Sequence, residues 1–248
     1  MKSTNEERTE NYLKKFNKKK FYNYLIKSNA PTIIDVGANT GQSIEEFKKI
    51  FKNPTIHAFE PQEDCYKILK KKFKKYKKIK INPNALSDSS KFKKFYYHTF
   101  ESRNKSELSG FYKLNKLSKD SINLKNKNYK KKYVKNINYY FKLKTIKLDD
   151  YIKKNKINKI DILKIDTQGH ENKVLLGAKK NLKNIKLIRL ELMFYDLYEK
   201  KLSFFEIEKI LRDYKFELYD ILHISKNPKN FTTDWVLLLL IYTASTQY

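Results

Sequence analysis

Short apolar segments alternate with longer amphipathic ones along most of the chain. From Thr32 onward, runs rich in isoleucine, valine and aromatic residues are followed by stretches with helical periodicity. This alternation is typical of parallel strands joined by crossover helices, and it predicts an α/β fold. The predicted strands are residues 32–36, 55–59, 78–82, 92–100, 139–148, 159–166, 185–192, 216–222 and 235–242.

The first 29 residues have a different pattern, with aromatic and leucine side chains spaced among lysines. This spacing predicts one or two amphipathic helices before Pro31. We therefore expect a helical extension over residues 1–29 and one α/β domain over residues 30–248. The helices predicted for that domain begin near Ser43, end near Tyr76, begin near Glu171 and cover about residues 203–214.

A long polar segment separates the strands at 92–100 and 139–148. Residues 101–138 are rich in lysine and asparagine and have little periodicity. Connections of this length inside a compact domain are uncommon unless they serve as lids, binding loops or disordered inserts. We expect a strand pair with an inserted substrate lid.

Length and composition narrow the possibilities further. A chain of 248 residues with 40% hydrophobic content can bury one sizeable core. The lone Cys65 excludes an intramolecular disulfide framework and a cysteine-based zinc site, and it indicates a reducing compartment. The N-terminus lacks the apolar segment of a secretory signal, and the apolar run at 235–242 is far shorter than the roughly 20 residues that span a bilayer. We expect no membrane span and a cytoplasmic protein.

The net charge of +28 is compatible with a polyanionic partner. However, all but four of the basic residues are lysines, which are less discriminating readers of phosphate and base than arginine. The lysines also accompany many asparagines and isoleucines, which suggests a general compositional drift. We therefore expect nucleic acid not to be the partner.

The first predicted strand runs directly into the turn Asp35–Gly41, with the sequence DVGANTG, and then into a helix. A glycine-containing turn of this kind brings backbone amides close to a ligand at the carboxyl end of the strand. The turn has neither the G-x-G-x-x-G spacing of nicotinamide enzymes nor the lysine of a P-loop. The alternative is a tight turn that holds no ligand.

Acidic residues follow the next strands. Glu60 and Pro61 end the second strand about 20 residues after the glycine turn, where a carboxylate can accept both ribose hydroxyls of a nucleoside. After the third strand, Asp88 can accept the amino group of adenine, with Ala85 and Leu86 lining the ring. A plain turn aspartate is the alternative for Asp88.

The fourth long strand ends in Lys164-Ile165-Asp166-Thr167-Gln168-Gly169-His170-Glu171. This segment places an acidic residue, Asp166, a basic one, His170, and the flexible Gly169 at the carboxyl end of the strand. Parallel α/β sheets bind their ligands at this edge.

Together, DVGANTG, FEP, ALSD and KIDTQGHE, in this order, resemble the FkbM family of S-adenosylmethionine-dependent methyltransferases over about residues 31–242. The resemblance implies a Rossmann-like, seven-stranded class I methyltransferase sheet with an antiparallel last strand, and O-methylation of sugars or secondary metabolites. Many relatives have an acidic residue where this chain has Gln168. The residues expected to bind the cofactor are Asp35, Gly37, Asn39, Gly41, Glu60, Pro61, Ala85, Leu86, Asp88 and Asp166.

Methyl transfer to a hydroxyl requires a base near the acceptor oxygen. Asp166 and His170 are the candidates, although Asp166 can instead anchor the methionine amino group and His170 can be structural. Glu191 and Tyr195 are expected to contact a small-molecule or glycan acceptor. No metal is expected, with a magnesium site of Asp166, Glu171 and Glu191 as the alternative.

Two other functions remain open from the sequence. The basic charge is compatible with an RNA or protein methyltransferase, although no nucleic-acid module or amine-methylating NPPY-like loop is present. An inactive family member that acts as a binding protein is the third possibility.

Overall fold

The computed structural model describes residues 4–98, 108–115, 140–194, 197–200, 202–227 and 232–243. Its strands are β1 (Thr32–Val36), β2 (Thr55–Phe59), β3 (Ile79–Asn82), β4 (Ala85–Leu86), β5 (Phe92–Tyr96), β6 (Tyr140–Ile146), β7 (Ile160–Ile165), β8 (Ile185–Met193), β9 (Phe216–Asn227) and β10 (Thr232–Tyr242). Its α-helices are α1 (Asn5–Lys15), α2 (Lys18–Ile26), α3 (Gln42–Ile50), α4 (Glu63–Lys72), α5 (Leu148–Lys154), α6 (Glu171–Gly177) and α7 (Phe204–Asp213).

Seven strands form the central sheet in the order β3-β2-β1-β7-β8-β10-β9. The pairs from β3 through β8 are parallel, whereas β10 lies antiparallel to both β8 and β9. The expected Rossmann-like α/β fold with an antiparallel last strand is therefore confirmed. All six residues of β7 are buried, as expected for a parallel strand covered on both faces.

Helices cover both faces of this sheet. On one face, α2, α3 and α4 bury residues such as Tyr22, Phe47 and Leu69 against the strands. On the other face, α5, α6 and α7 contribute residues such as Val174 and Leu211. The burial of Tyr22 makes α2 part of the packed core, whereas α1 has no buried residue.

The predicted inserted strand pair is present as β5 and β6, which are antiparallel and join β4 in a small second sheet. Most of the predicted lid, residues 101–138, lies outside the described residues. The described part, 108–115, forms bridges from Gly110 to Tyr96 and from Leu114 to Tyr198.

The sequence pattern missed helix α5 and misplaced the end of α4. The strand predicted over 139–148 ends at Ile146, because Lys147 is the N-cap of α5. Asp149 and Asp150 lie in the first turn of this helix, where carboxylates interact favourably with the helix dipole. Helix α4 ends at Lys72 rather than near Tyr76, because Phe73 leaves the helical conformation. Within the described residues, no helix is long and apolar enough to cross a membrane.

Candidate cofactor and acceptor site

The sequence order of the strands reverses between β1 and β7, which lie side by side at the centre of the sheet. In open α/β sheets, ligands bind outside the carboxyl ends of the strands at such a switch point. Asp35–Gly41, Glu60 and Asp166 all lie at or just beyond these strand ends. The fold therefore brings the predicted motifs to one edge.

The glycine turn after β1 is held against both neighbouring strands. The backbone N–H groups of Gly37 and Ala38 donate to the carbonyl of Phe59, at 3.0 and 3.1 Å. Gly37 has φ +77°, and a Cβ atom there would lie 1.9 Å from the carbonyl oxygen of Asp166. Only glycine fits this position, because a side chain would push β1 and β7 apart.

Glu60 is buried beside this turn, with 2% of its surface exposed. Its Oε2 accepts from the backbone N–H of Asn39 and its Oε1 from that of Gln62, both at 2.8 Å. Burial raises the pKa of Glu60 to about 7, although these hydrogen bonds favour the ionised form. The side chain is thus fixed in place with acceptor capacity left on its oxygens.

A first pocket opens beside Glu60. Its lining combines polar groups with apolar side chains and aromatic rings. They include Gly37, Asn39, Phe59, Glu60, Pro61, Gln62, Asn84, Ala85, Leu86, Phe95, Phe111 and Asp166.

A second pocket adjoins the first. The two pockets share Gly37, Asn39, Asp166 and Gln168 in their linings. The other walls of the second pocket carry charged side chains and one indole ring. These are Glu46, Lys164, Arg189, Glu191 and Trp235.

Lys164 contacts both Asp35 and Asp166 and the backbone of the glycine turn. Its buried Nζ lies 3.2 Å from Asp35 Oδ1 and 3.5 Å from Asp166 Oδ2, and it donates to the carbonyl of Gly37 at 2.7 Å. Burial lowers the pKa of Lys164, but the charges of Asp35 and Asp166 more than offset burial, so the pKa is raised. The charged ammonium therefore holds Asp166 against the glycine turn.

Glu191 lies in β8, beside Asp166 at the end of the adjacent strand β7. Burial and the charge of Asp166 raise the pKa of Glu191 to about 8. Two carboxyl groups, one of them with a raised pKa, therefore line the same pocket, which is an arrangement suited to acid and base chemistry.

Arg189 lines the second pocket and also contacts Tyr22 of helix α2. Its Nη1 lies 2.9 Å from Glu46 Oε1 and 3.4 Å from the hydroxyl of Tyr22. Lys18, at the start of α2, contacts the same Glu46 oxygen at 2.7 Å. The second pocket is thereby connected to the N-terminal helices.

His170 lines neither of these two pockets. Its buried Nε2 lies 2.9 Å from Ser87 Oγ, and its ring packs 4.1 Å from that of Phe111. Burial lowers the pKa of His170 to about 3. His170 therefore lies behind Phe111, which lines the first pocket. Its imidazole is neutral at physiological pH.

The remaining predicted site residues fall into two groups. Asn39, Pro61, Ala85 and Leu86 line the first pocket, whereas Asp35, Gly41 and Asp88 line neither pocket. Lys93 and Lys173 form ion pairs with Asp88 at 3.0 and 2.9 Å. Burial alone would raise the pKa of Asp88, but these two ammonium groups outweigh it, so the pKa lies well below its usual range. Tyr195 lies outside the described residues.

Two of the alternative magnesium ligands, Asp166 and Glu171, have other partners. Among the described side chains, no group of three or more histidine, cysteine or acidic residues is arranged to hold a metal ion. Glu171 Oε1 instead accepts from the backbone N–H groups of Thr167 and Gly169, at 2.8 and 3.2 Å. Glu171 therefore stabilises the loop that carries Asp166.

Several lining residues were missed from the sequence, among them Lys164, Arg189 and the rings of Phe95 and Phe111. Lys164 and Arg189 had a usable signal, because each is a charged residue within a mostly apolar strand. Phe95 and Phe111 had none, since aromatic residues in a strand or loop normally indicate core packing.

The lining of the first pocket is compatible with S-adenosylmethionine. Glu60 would accept hydrogen bonds from ribose hydroxyls, Leu86 and the phenylalanine rings would give adenine an apolar surface, and Asp166 would lie near the methionine end. Because Gly37 has no side chain, only its backbone contributes to the lining of this pocket.

Solved structures with similar folds include several methyltransferases. The fibrillarin pre-rRNA processing protein of Methanococcus jannaschii has 15% identity and a TM-score of 0.48, covering 88% of this chain and 68% of that one. The precorrin-6y C5,15-methyltransferase of Geobacter metallireducens has 11% identity and a TM-score of 0.44, covering 91% and 87%. TrmK of M. capricolum, in complex with S-adenosyl-homocysteine, has 12% identity and a TM-score of 0.43, covering 90% and 68%.

No curated protein matches the chain significantly. The sequence model of the methyltransferase FkbM domain matches residues 35–218, which is most of the chain and includes the glycine turn, Glu60, Asp166 and Glu191. The chain therefore belongs to the FkbM methyltransferase family, and it is an S-adenosylmethionine-dependent methyltransferase.

Proposed function

We propose that the protein transfers the methyl group of S-adenosylmethionine to a hydroxyl oxygen of a sugar, a glycan or a secondary metabolite. The observation that carries this proposal is the pair of adjoining pockets that share Asp166. A cofactor held in the first pocket and an acceptor held in the second would meet beside this carboxylate.

In this proposal, Glu60 accepts hydrogen bonds from the ribose hydroxyls, Ala85 and Leu86 contact the adenine, and Asp166 faces the methionine end. The cofactor supplies an electrophilic methyl group on a sulfonium. The protein must chiefly orient the acceptor oxygen, exclude water and accept the hydroxyl proton, because alignment and proton transfer limit such displacements.

Asp166 and Glu191 are the proton-accepting groups that the geometry favours. Both line the second pocket, and Lys164 Nζ, 3.5 Å from Asp166 Oδ2, helps to hold Asp166 in place. His170, the other candidate from the sequence, faces Ser87 and lines neither pocket, so the proposal gives it a packing role behind Phe111.

The lining of the second pocket favours a polyhydroxylated acceptor. It presents carboxylates, a guanidinium and the indole of Trp235. Paired donors and acceptors bind hydroxyl groups, and an indole ring packs against the apolar face of a sugar.

Transfer of a radiolabelled methyl group to a panel of sugars, nucleotide sugars, RNA and protein tests this proposal. Formation of an alkali-stable methyl ether on a hydroxyl acceptor supports it. Asp166→Asn is expected to lower the rate by about 10²-fold or more, whereas Asp88→Asn, outside both pockets, is the matched control and should keep the rate. Label on an amine or a nucleobase would overturn it, as would cofactor binding without any transfer.

RNA is the second candidate acceptor because the net charge of +28 favours association with polyanions. Two outcomes of the same assay separate the candidates. Label in RNA that falls steeply with added salt supports this second function, and label confined to sugars excludes it.

A further inference from the structure

The chain from Asn11 to Ile34 contains six lysines and five aromatic residues but no acidic residue. Acidic side chains stop at Glu10 in α1 and resume at Asp35 in β1. This part of α1 and α2 is therefore strongly basic at every physiological pH. We call residues 11–24 the N-terminal basic surface.

Large apolar side chains on this surface are exposed. Tyr12, Leu13 and Tyr24 have 51%, 66% and 69% of their surface exposed, and α1 buries no residue. Lysines and asparagines lie between them, and all residues from 11 to 20 are exposed. Exposed apolar groups clustered within a basic patch mark an interaction surface rather than a solvated face.

The aromatic rings of the surface pack against one another. The ring centroids of Tyr12 and Phe16 are 5.5 Å apart, those of Phe16 and Phe21 are 5.5 Å apart, and Phe21 lies 6.1 Å from Tyr219 of β9, all at tilted angles. Nucleic-acid platforms instead offer open ring faces on which bases stack.

We infer that the N-terminal basic surface docks on an anionic phospholipid bilayer. Its lysines complement the lipid phosphates, its tyrosines suit the headgroup level, and Leu13 can enter the acyl boundary. Charge complementarity selects an anionic bilayer over a neutral one, because aromatic and leucine side chains alone supply only part of the attraction.

This surface adjoins the second pocket. Lys18, within the surface, contacts Glu46, and Glu46 contacts Arg189 in the pocket wall. Docking would therefore place the pocket close to the membrane, within reach of an acceptor held at the lipid surface. The inference does not depend on which acceptor is methylated.

Sedimentation with vesicles tests the inference on the full chain. We expect binding to phosphatidylcholine vesicles that contain phosphatidylserine, weak binding to phosphatidylcholine alone, and weaker binding at high salt. Lys15→Glu with Lys19→Glu should weaken binding to anionic vesicles by more than about ten-fold, since each lysine contributes roughly five-fold. Tyr12→Ser with Leu13→Ser should also weaken it.

Matched variants keep the test specific. Lys74→Glu with Lys75→Glu changes the charge equally on exposed residues after α4, and Phe205→Ser removes an exposed ring from α7. Both should bind vesicles as the wild type does, and all variants should bind S-adenosylhomocysteine normally, which verifies their folding. Equal loss in the matched charge variants would overturn the inference, as would binding of single-stranded RNA but not of vesicles.

Discussion

The backbone N–H of Asn39 donates a 2.8 Å hydrogen bond to Glu60 Oε2, and this contact joins the glycine turn after β1 to the end of β2. The same carboxylate accepts from Gln62 at 2.8 Å. One buried acidic group thus fixes two segments that line the first pocket, and it remains the main acceptor for the ribose of the cofactor in our proposal.

Cofactor affinity should rise with pH because of Glu60. Burial raises its pKa to about 7, and the ionised carboxylate is the stronger acceptor of ribose hydroxyls. The affinity for S-adenosylhomocysteine, measured by calorimetry, is therefore expected to increase between about pH 6 and pH 8. Glu60→Gln should weaken binding and remove this dependence, and an unchanged slope in that variant would assign the titration to another group.

Lys164→Met should strongly destabilise the protein. The buried ammonium lies between Asp35 and Asp166, so its removal leaves two carboxylates without their counter-charge. Breaking a buried ion pair in this way costs about 3–5 kcal/mol in the free energy of unfolding, which urea denaturation measures. Adding Asp35→Asn should recover part of the loss, and a double variant as unstable as the sum of both changes would contradict the predicted coupling.

Gly37→Ala should impair both folding and cofactor binding. The new Cβ would lie 1.9 Å from the carbonyl oxygen of Asp166, at a residue with φ +77°. The strained conformation alone costs about 1–3 kcal/mol, before the clash is relieved. Gly110→Ala is the matched control, since its Cβ would meet nothing closer than 3.4 Å. Comparable melting temperatures for the two variants would refute the close packing of β1 against β7.

Glu191 should make the protein less stable as the pH rises. Its pKa is raised from 4.5 to about 8, so the folded state binds the proton more tightly than the unfolded state does. The resulting stability is present below about pH 4.5 and is lost as the pH rises toward about 8. Urea denaturation across this window should show a smaller decline for Glu191→Gln than for the wild type. An equal decline in the variant and the wild type would mean that Glu191 is ionised throughout this window and would contradict the prediction.

Much of the fold could be predicted from the sequence because its strands are short and apolar. Segments such as Thr32–Val36 and Thr55–Phe59 coincide with β1 and β2, since a fully buried parallel strand reads as a continuous hydrophobic run. Helix α5 was missed because Leu148 continues the apolar pattern of β6, and only the acidic pair after it indicates a helix start.

The site was less predictable than the fold. Motif order indicated Glu60 and Asp166, but contacts between distant residues determine which neighbours face a ligand. Asp88 follows its strand as expected, yet Lys93 and Lys173 bind it away from both pockets. The guanidinium of Arg189 is held beside the second pocket by Glu46 and Tyr22, which precede it by more than a hundred residues.

Calorimetric titration of the wild type, Glu60→Ala and Asp88→Ala with S-adenosylhomocysteine shows whether the cofactor binds beside Glu60. We predict binding by the wild type, a loss of at least about ten-fold in Glu60→Ala from removal of a charge-assisted hydrogen bond, and unchanged binding in Asp88→Ala. Unchanged affinity in a folded Glu60→Ala variant would contradict the placement of the cofactor in the first pocket.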